Sequence, residues 1–420
     1  MRRSRPLVCE IFRVSLIVCA LAWPLVATEC FAQNLIGKKV TVIKWDAEFR
    51  SEDNKVIGTS ELGKNYEVYT AKGNKLFVRE RDGYILRADV VLYDMAVNHF
   101  TTIVKRKHSA NAYYDRGVAL EEREELDEAL KDYNEAIRRN AKFSEVYNAR
   151  ANIWSQKGEL DKALDDYGKS LQLDPMSSLV LCNRGMVWVA KEDYDRALVD
   201  YNEAIRIDPT YADTYRERAE VWQKKSKLDK AIADYDQALR LQSADQESRL
   251  NRAFLRGLQG DDDDAIADYN ELLRREPNHA RALQLRGLIW LKKGVYVTAA
   301  EDLEQAIEAD PTDFNLPIHL ALLRAACPDD NLRNGRNAME LMTKAKELGD
   351  WKKSYSYLAT LAAAHAELGE FDKAIEVENS LNDRIPEGLK AEHETRLKLY
   401  QDRKPYRLVA ELASKKAEQK

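Results

Sequence analysis

Residues 144–175 read SEVYNARANIWSQKGELDKALDDYGKSLQLDP, and residues 178–209 read SLVLCNRGMVWVAKEDYDRALVDYNEAIRIDP. At an offset of 34 the two stretches agree in kind at their most constrained positions. A small residue (Ala151, Gly185) is followed three places on by a large one (Trp154, Trp188), then by Ala163 or Ala197, Tyr167 or Tyr201, and Pro175 or Pro209.

The offset carries on in both directions. The second small position is Ala129, Ala163, Ala197, Ala231, Ala265 and Ala299, followed four residues later by Tyr133, Tyr167, Tyr201, Tyr235, Tyr269 and Leu303. The first small position is Gly117, Ala151, Gly185, Ala219, Ala253 and Gly287. The large position is Leu120, Trp154, Trp188, Trp222 and Trp290, with Arg256 the exception, and Pro175, Pro209, Pro277 and Pro311 end four units. Small residues let two antiparallel helices approach closely, large ones fill the wedge between helix pairs, and proline stops the second helix.

This pattern resembles the tetratricopeptide repeat, in period and in its small and large positions. The resemblance implies a mainly α, right-handed solenoid of about eight helical hairpins over residues 110–386, with repeats near 110–143, 144–177, 178–211, 212–245, 246–279, 280–313, 314–354 and 355–386. The seventh unit fits if about five residues are inserted around Cys327-Pro328-Asp329-Asp330, so that Ala321 and Ala338 take its small positions. The eighth recovers the pattern with Ala362, Gly369, Ala374 and Pro386; residues 387–400 then form a capping helix, and Ser414 to Lys420 a frayed end within the 387–420 tail.

One correlation predicts a contact. Repeats one to six carry arginine just before the first small position (Arg116, Arg150, Arg184, Arg218, Arg252, Arg286) and aspartate just before the tyrosine (Asp132, Asp166, Asp200, Asp234, Asp268, Asp302). Repeats seven and eight lose both together, giving Leu320 with Leu341 and Leu361 with Val377. Joint loss predicts a structural ladder of Arg–Asp forks, within each hairpin or between neighbours.

In the resembling family the first helix of each hairpin lines a ligand groove. That implies a strip formed by Leu179, Met186, Val189, Leu250, Phe254, Leu288, Leu291 and Leu322, with polar ends at Glu121, Asn152, Glu220 and Gln223. Such a strip suits an amphipathic helix or extended peptide of another protein. The lysine/asparagine clamp by which some relatives grip a C-terminal carboxylate is not matched, because Tyr114 and Val118 stand in those slots of the first repeat.

Ahead of the repeats, residues 33–93 read as a small all-β domain. Lys39 to Ile43, Tyr66 to Thr70 and Leu76 to Arg79 alternate, and Ala71-Lys72-Gly73-Asn74 signals a hairpin. Gly83-Tyr84-Ile85-Leu86 followed by Ala88-Asp89-Val90-Val91 resembles the closing strand and single-turn helix of Src-homology-3-like barrels. That resemblance implies a groove lined by aromatics such as Trp45, Tyr69 or Tyr84, the alternative being that these rings fill the core. Ala96, Phe100 and Ile103 then mark a connecting helix over 94–109 that docks on the first repeat.

Residues 1–32 have the layout of a signal peptide: Arg2, Arg3 and Arg5, an apolar run from Val14 to Ala27, and Cys30-Phe31-Ala32 before a cut. The alternative is an uncleaved anchor, the only membrane contact expected; Ala27-Thr28-Glu29 makes Cys30 a poor lipid attachment site. The expected location is therefore exported, periplasmic or extracellular. Cleavage removes four Arg and two Glu, taking the net charge from −5 to −7, and leaves Cys182 and Cys327, in repeats too distant for a disulfide.

Residues 33–107 carry 14 basic and 10 acidic side chains, too small an excess to imply nucleic-acid binding. Six histidines show no helical zinc spacing, and no phosphate loop, nucleophile elbow or Cys-x-x-Cys occurs. His365 sits in a packing slot, and Asp261 to Asp264 lack the alternation of a calcium loop while sitting where a helix begins. No catalytic, metal or cofactor residues are assigned. The expectation is a non-enzymatic adaptor binding a protein or peptide on the repeats. The alternative places binding of cell-wall peptides or a partner in the β-domain, with the repeats as spacer or assembly surface.

Overall fold

The computed structural model describes residues 95–409, except 350, 352–353 and 382–384, together with seven short strands between residues 39 and 92. The leader (1–32) and the lysine-rich end (414–420) lie outside the described residues, as do the side chains of Trp45, Tyr69 and Tyr84. Two compact units divide the chain after Asp208, and each is taken separately.

In the first unit the strands are β1 (Lys39–Val42), β2 (Ala47–Arg50), β3 (Val56–Ser60), β4 (Asn65–Lys72), β5 (Lys75–Val78), β6 (Gly83–Leu86) and β7 (Val90–Leu92). Their order is β3-β2-β6-β5-β4-β1-β7, with every recorded pairing antiparallel. Lys72 pairs with Lys75, so β4 and β5 form the hairpin expected at Gly73-Asn74. Leu76 and Val78, alternate residues of β5, are both fully buried, as one face of a half-buried strand requires. Val90 and Val91 correct the sequence reading. Expected in a helical turn, they stand in β7 and pair with Val42 and Thr41, because β1 offers them an edge that β4 does not occupy and β-branched residues favour it. β2 and β3, too short and too polar to be read from alternation, form a further hairpin.

The described helices of this unit are α1 (Ala96–Lys107), α2 (Ala110–Glu121), α3 (Leu126–Arg139), α4 (Ser144–Gln156), α5 (Leu160–Leu173), α6 (Ser178–Ala190) and α7 (Tyr194–Ile207). α1 buries Ala96 and Phe100 against Ala119 of α2. The rest pair as hairpins α2/α3, α4/α5 and α6/α7. Tyr133 shows why the first small position is small: a Cβ on Gly117 would come within 2.5 Å of its ring, and Gly185 stands the same way to Tyr201. Trp154 lies against both the cluster around Tyr133 and that around Tyr167, filling the wedge between the first two hairpins.

The second unit continues with α8 (Ala212–Lys224), α9 (Leu228–Leu241), α10 (Gln246–Gln259), α11 (Asp262–Arg275), α12 (Ala280–Lys293), α13 (Tyr296–Ala309), α14 (Asn315–Ala326), α15 (Gly335–Leu348), α16 (Tyr355–Glu367) and α17 (Phe371–Asn379). These make five more hairpins. A single 3-10 turn (Glu387–Leu389) leads into α18 (Lys390–Gln401), whose Tyr400 is fully buried with Ala362, Ala366 and Ala374 of the last hairpin. Between α14 and α15 the turn lengthens to residues 327–334, which contains the insertion, and Arg333 holds it by donating to the Cys327 carbonyl at 2.8 Å.

Elsewhere the turn inside each hairpin is one motif. The carbonyl of the large position (Leu120, Trp154, Trp188, Trp222, Arg256, Trp290, His365) accepts from the N–H five residues on. That bond needs a left-handed residue just before it. Glycine supplies it at Gly158, Gly260, Gly294 and Gly369, while Glu124, Glu192 and Ser226 do so at φ 62°, 59° and 55°.

Candidate ligand face on the first helices

Within each unit the first helices of successive hairpins touch, α2 with α4 and α4 with α6, then α10 with α12 and α12 with α14, so they make a common face. The arginine ladder runs beside it. In each of the six hairpins, arginine Nε and Nη2 donate to the two carboxylate oxygens of the aspartate sixteen residues on. The distances are 2.6 and 2.6 Å for Arg116–Asp132, 2.7 and 2.8 Å for Arg150–Asp166, and 2.8 and 2.6 Å for Arg184–Asp200. They are 2.8 and 2.7 Å for Arg218–Asp234, 2.8 and 2.5 Å for Arg252–Asp268, and 2.8 and 2.6 Å for Arg286–Asp302. The aspartates are buried and the arginines partly so. A bidentate fork fixes the rotation of one helix about the other, which apolar packing alone leaves loose.

Two further sets of contacts were not read from the sequence. Arg150, Arg252 and Arg286 turn their third nitrogen, Nη1, back to the preceding hairpin: to Asn134 at 2.5 Å, Asp236 at 2.6 Å and Asn270 at 2.7 Å. At repeat seven Leu320 has replaced the ladder arginine, yet Arg324, one turn later, reaches Glu304 of the preceding hairpin at 2.5 Å. At the other end of the first helices, Lys157–Asp127 (3.0 Å), Lys191–Asp161 (2.7 Å) and Lys293–Asp263 (2.8 Å) pair each hairpin with the one before it. The signal for this second set is a lysine and an aspartate at a constant 30-residue offset. Asp262, Asp263 and Asp264 open α11, and the first two of them meet Lys292 and Lys293.

The eight apolar candidates divide. Leu179 and Met186, two turns apart on α6, are 47% and 46% exposed. Val189, Leu250, Phe254, Leu288, Leu291 and Leu322 are half-buried. Leu250 packs on the Tyr269 cluster, Phe254 on the Tyr235 cluster and Leu291 on the Leu303 cluster, so part of each is committed to neighbouring hairpins. Beside Leu179 and Met186 lies an amide group. Asn183 of α6 donates to Asn148 (3.4 Å) and Asn152 (3.3 Å) of α4, and the Tyr167 hydroxyl donates to Asn152 at 2.5 Å. In the first hairpin Tyr133 donates to Glu121 at 2.6 Å, and burial pushes that carboxyl above its ordinary range.

The arrangement holds hydrogen-bonding amides and carboxylates beside exposed apolar side chains. Among the described residues no group of three or more His, Cys, Asp or Glu is placed to hold a metal ion, and no helix is long and apolar enough to cross a membrane. The Glu370 carboxylate accepts a hydrogen bond from His365 Nδ1 at 2.7 Å, at the turn of the last hairpin. Cys182 and Cys327 are both buried, and neither is in a disulfide.

Models of the tetratricopeptide repeat match residues 110–143, 144–177, 185–226 and 258–314. No curated protein matches the chain. Among solved structures the chain is similar to YrrB, described as a TPR protein with an unusual peptide-binding site (28% identity, 44% of this chain and 96% of that one, TM-score 0.41). It is similar also to pilF of Pseudomonas aeruginosa (21%, 50% and 96%, TM-score 0.45) and to a tetratricopeptide repeat protein of Parabacteroides merdae (18%, 61% and 99%, TM-score 0.43). The chain carries tetratricopeptide repeats and has the mainly helical fold of a protein-interaction scaffold of that type.

Proposed function

We propose that this is a non-enzymatic adaptor whose first-helix face binds a peptide segment of another protein. The observation that carries the reading is the pairing of Leu179 and Met186, nearly half exposed, with the amides of Asn148, Asn152 and Asn183. Exposed apolar side chains at positions i and i+7 give anchors for an apolar segment, and amides beside them can bond its backbone. A photo-crosslinking residue placed at Met186, and another at the exposed outer position Val199 of α7, test this in the full chain. Peptide adducts are expected at Met186 and not at Val199, and should disappear when Leu179→Asp is added. Equal labelling at both positions refutes a dedicated face.

The β-domain reading stands as the second proposal, supported by the antiparallel pairing of seven short strands: a Src-homology-3-like barrel that binds wall peptides or a partner, with the repeats as spacer. Adducts arising only from a crosslinker in residues 39–92 would favour it. Export rests on the residues of the leader, and a mature chain starting at Gln33, read by N-terminal mass spectrometry, is its expected signature.

A further inference from the structure

In the second unit the hairpin turn recurs once more after the last hairpin. The Leu399 carbonyl of α18 accepts from the N–H of Lys404, with Arg403 left-handed before it at φ 55°. Leu399 lies 34 residues after His365, so α18 stands at the register of the first helix of a ninth hairpin. The two small positions of that hairpin hold large side chains, Arg396 where the eighth has Ala362 and Leu408 where it has Ala374. Arg396 is buried and engaged, reaching Glu378 at 2.8 Å and the Tyr355 hydroxyl at 2.7 Å. Large side chains at both positions hold two helices apart. Residues 404–409 accordingly carry neither helix nor strand.

Those residues go instead to the seventh and eighth hairpins. The Leu408 N–H donates at 2.8 Å to the carbonyl of Ala326, the last residue of α14. Arg407 Nη1 meets one carboxylate oxygen of Glu367, at the end of α16, at 2.8 Å, and Arg333 of the inserted loop donates to the other at 2.8 Å. Tyr406 packs on the cluster of Ala362, Ala366 and Ala374, and its hydroxyl donates to Glu392 at 3.1 Å. The inserted loop keeps the ordinary turn bond in a longer form: the carbonyl of Arg324, in the large position, accepts from the N–H of Asn334 at 2.7 Å. The last carbonyls of a helix have no partner within it. In α14 the loop serves that of Arg324 and the tail serves that of Ala326.

We infer that Pro405 to Val409 form a strap that latches the inserted loop of the seventh hairpin to the end of the eighth, with Glu367 as its catch. Insertions in a repeat array fall on loops, and here the added residues bring Arg333 to the carboxylate that the strap also grips. One carboxylate shared by two arginines couples the parts, so that loosening the strap loosens the loop. The strap residues from Pro405 to Leu408 are half-buried and their bonds are few, so the latch opens while the hairpins beneath stay folded. Opening uncovers the Ala326 carbonyl and Glu367 together and frees the loop from α16. The latch is a conformational control on the seventh and eighth hairpins, and it stands independently of the peptide-binding reading.

Amide exchange on the full chain, read residue by residue, tests this. The Leu408 amide is expected to exchange roughly a hundredfold slower than an unprotected one, although it lies outside any helix or strand. Arg407→Ala is expected to cut that protection roughly tenfold and to loosen residues 331–334 by a similar factor, while α16 keeps its protection. Arg403→Ala is the control, because Arg403 lies in the same tail but bonds Asp372, at 3.2 Å, and it should leave both sites unchanged. An unprotected Leu408 amide in the unaltered chain, a loop that ignores Arg407→Ala, or the same loosening from Arg403→Ala overturns the inference. So does slow exchange running unbroken from 408 to 418, which would mean that a second helix closes the ninth hairpin.

Discussion

Asp115 is held where its charge is poorly served. It sits on α2 with Oδ1 buried and without a partner, and burial pushes its carboxyl from an ordinary 3.8 to about 6, against the pull of Lys107. A carboxyl raised in the folded chain stabilises while protonated, so its contribution is complete below about pH 4 and is lost as the pH rises through 6. Asp115→Asn, which stays neutral, should therefore gain about 1–2 kcal/mol at pH 7.5, after discounting for partial exposure, and almost nothing at pH 4. Chemical denaturation at the two pH values checks this, and an equal gain at both would dismiss it. Arg184 and Asp200 show the opposite case, a pair whose members need each other. Arg184→Leu strands a buried carboxylate and should cost about 2–3 kcal/mol, whereas Arg184→Leu with Asp200→Leu should cost less than that single change. Strict additivity in the thermal double-mutant cycle would mean that the two do not act as a pair.

The turn that joins the two helices of a hairpin gives a prediction at the scale of the element. Seven described hairpins use the same bond closed by a left-handed residue, and three of them do it without glycine. A side chain in that conformation costs on the order of 1 kcal/mol. Glu192→Gly and Ser226→Gly should each raise the stability by several tenths to about 1 kcal/mol, against the ordinary penalty for adding glycine to a chain. A fall in melting temperature at both sites would show the turn to be unstrained. The terminal helix makes a second case. Glu378 of α17 is fully buried, with His393 of α18 at 2.9 Å and Arg396 at 2.8 Å. Deleting residues 387–409 removes both partners and uncovers Ala362, Ala366 and Ala374. Amide exchange should then reach the unprotected rate over 355–379, and protection retained there would show that α18 is not a cap. The sequence made the turns legible only where glycine marks them. At Glu124, Glu192 and Ser226 the helix pair imposes a conformation that the residue type does not announce.

At the scale of the whole molecule, stability is a chain of neighbouring contacts. Arg286 bonds Asp302 in its own hairpin and Asn270 in the one before, so loss of Asp302 disturbs both. Asp302→Leu should speed amide exchange across residues 246–348 of the second unit and leave 110–173 at their original protection. Uniform loss over both stretches would indicate a single cooperative block. The 34-residue spacing, the small and large positions, the count of hairpins and the co-occurrence of arginine and aspartate were all open to reading from the chain alone. Each is a periodic demand of two helices in contact, and a periodic demand leaves a periodic trace in the residues. Which aspartate an arginine takes, where its third nitrogen goes, that lysines meet aspartates 30 residues back, and that Val90 and Val91 join a strand came from the fold. These depend on the rotation and rise from one helix pair to the next, and on which sheet edge lies open. Such quantities arise from many weak contacts summed over distance, and no single spacing in the sequence records them.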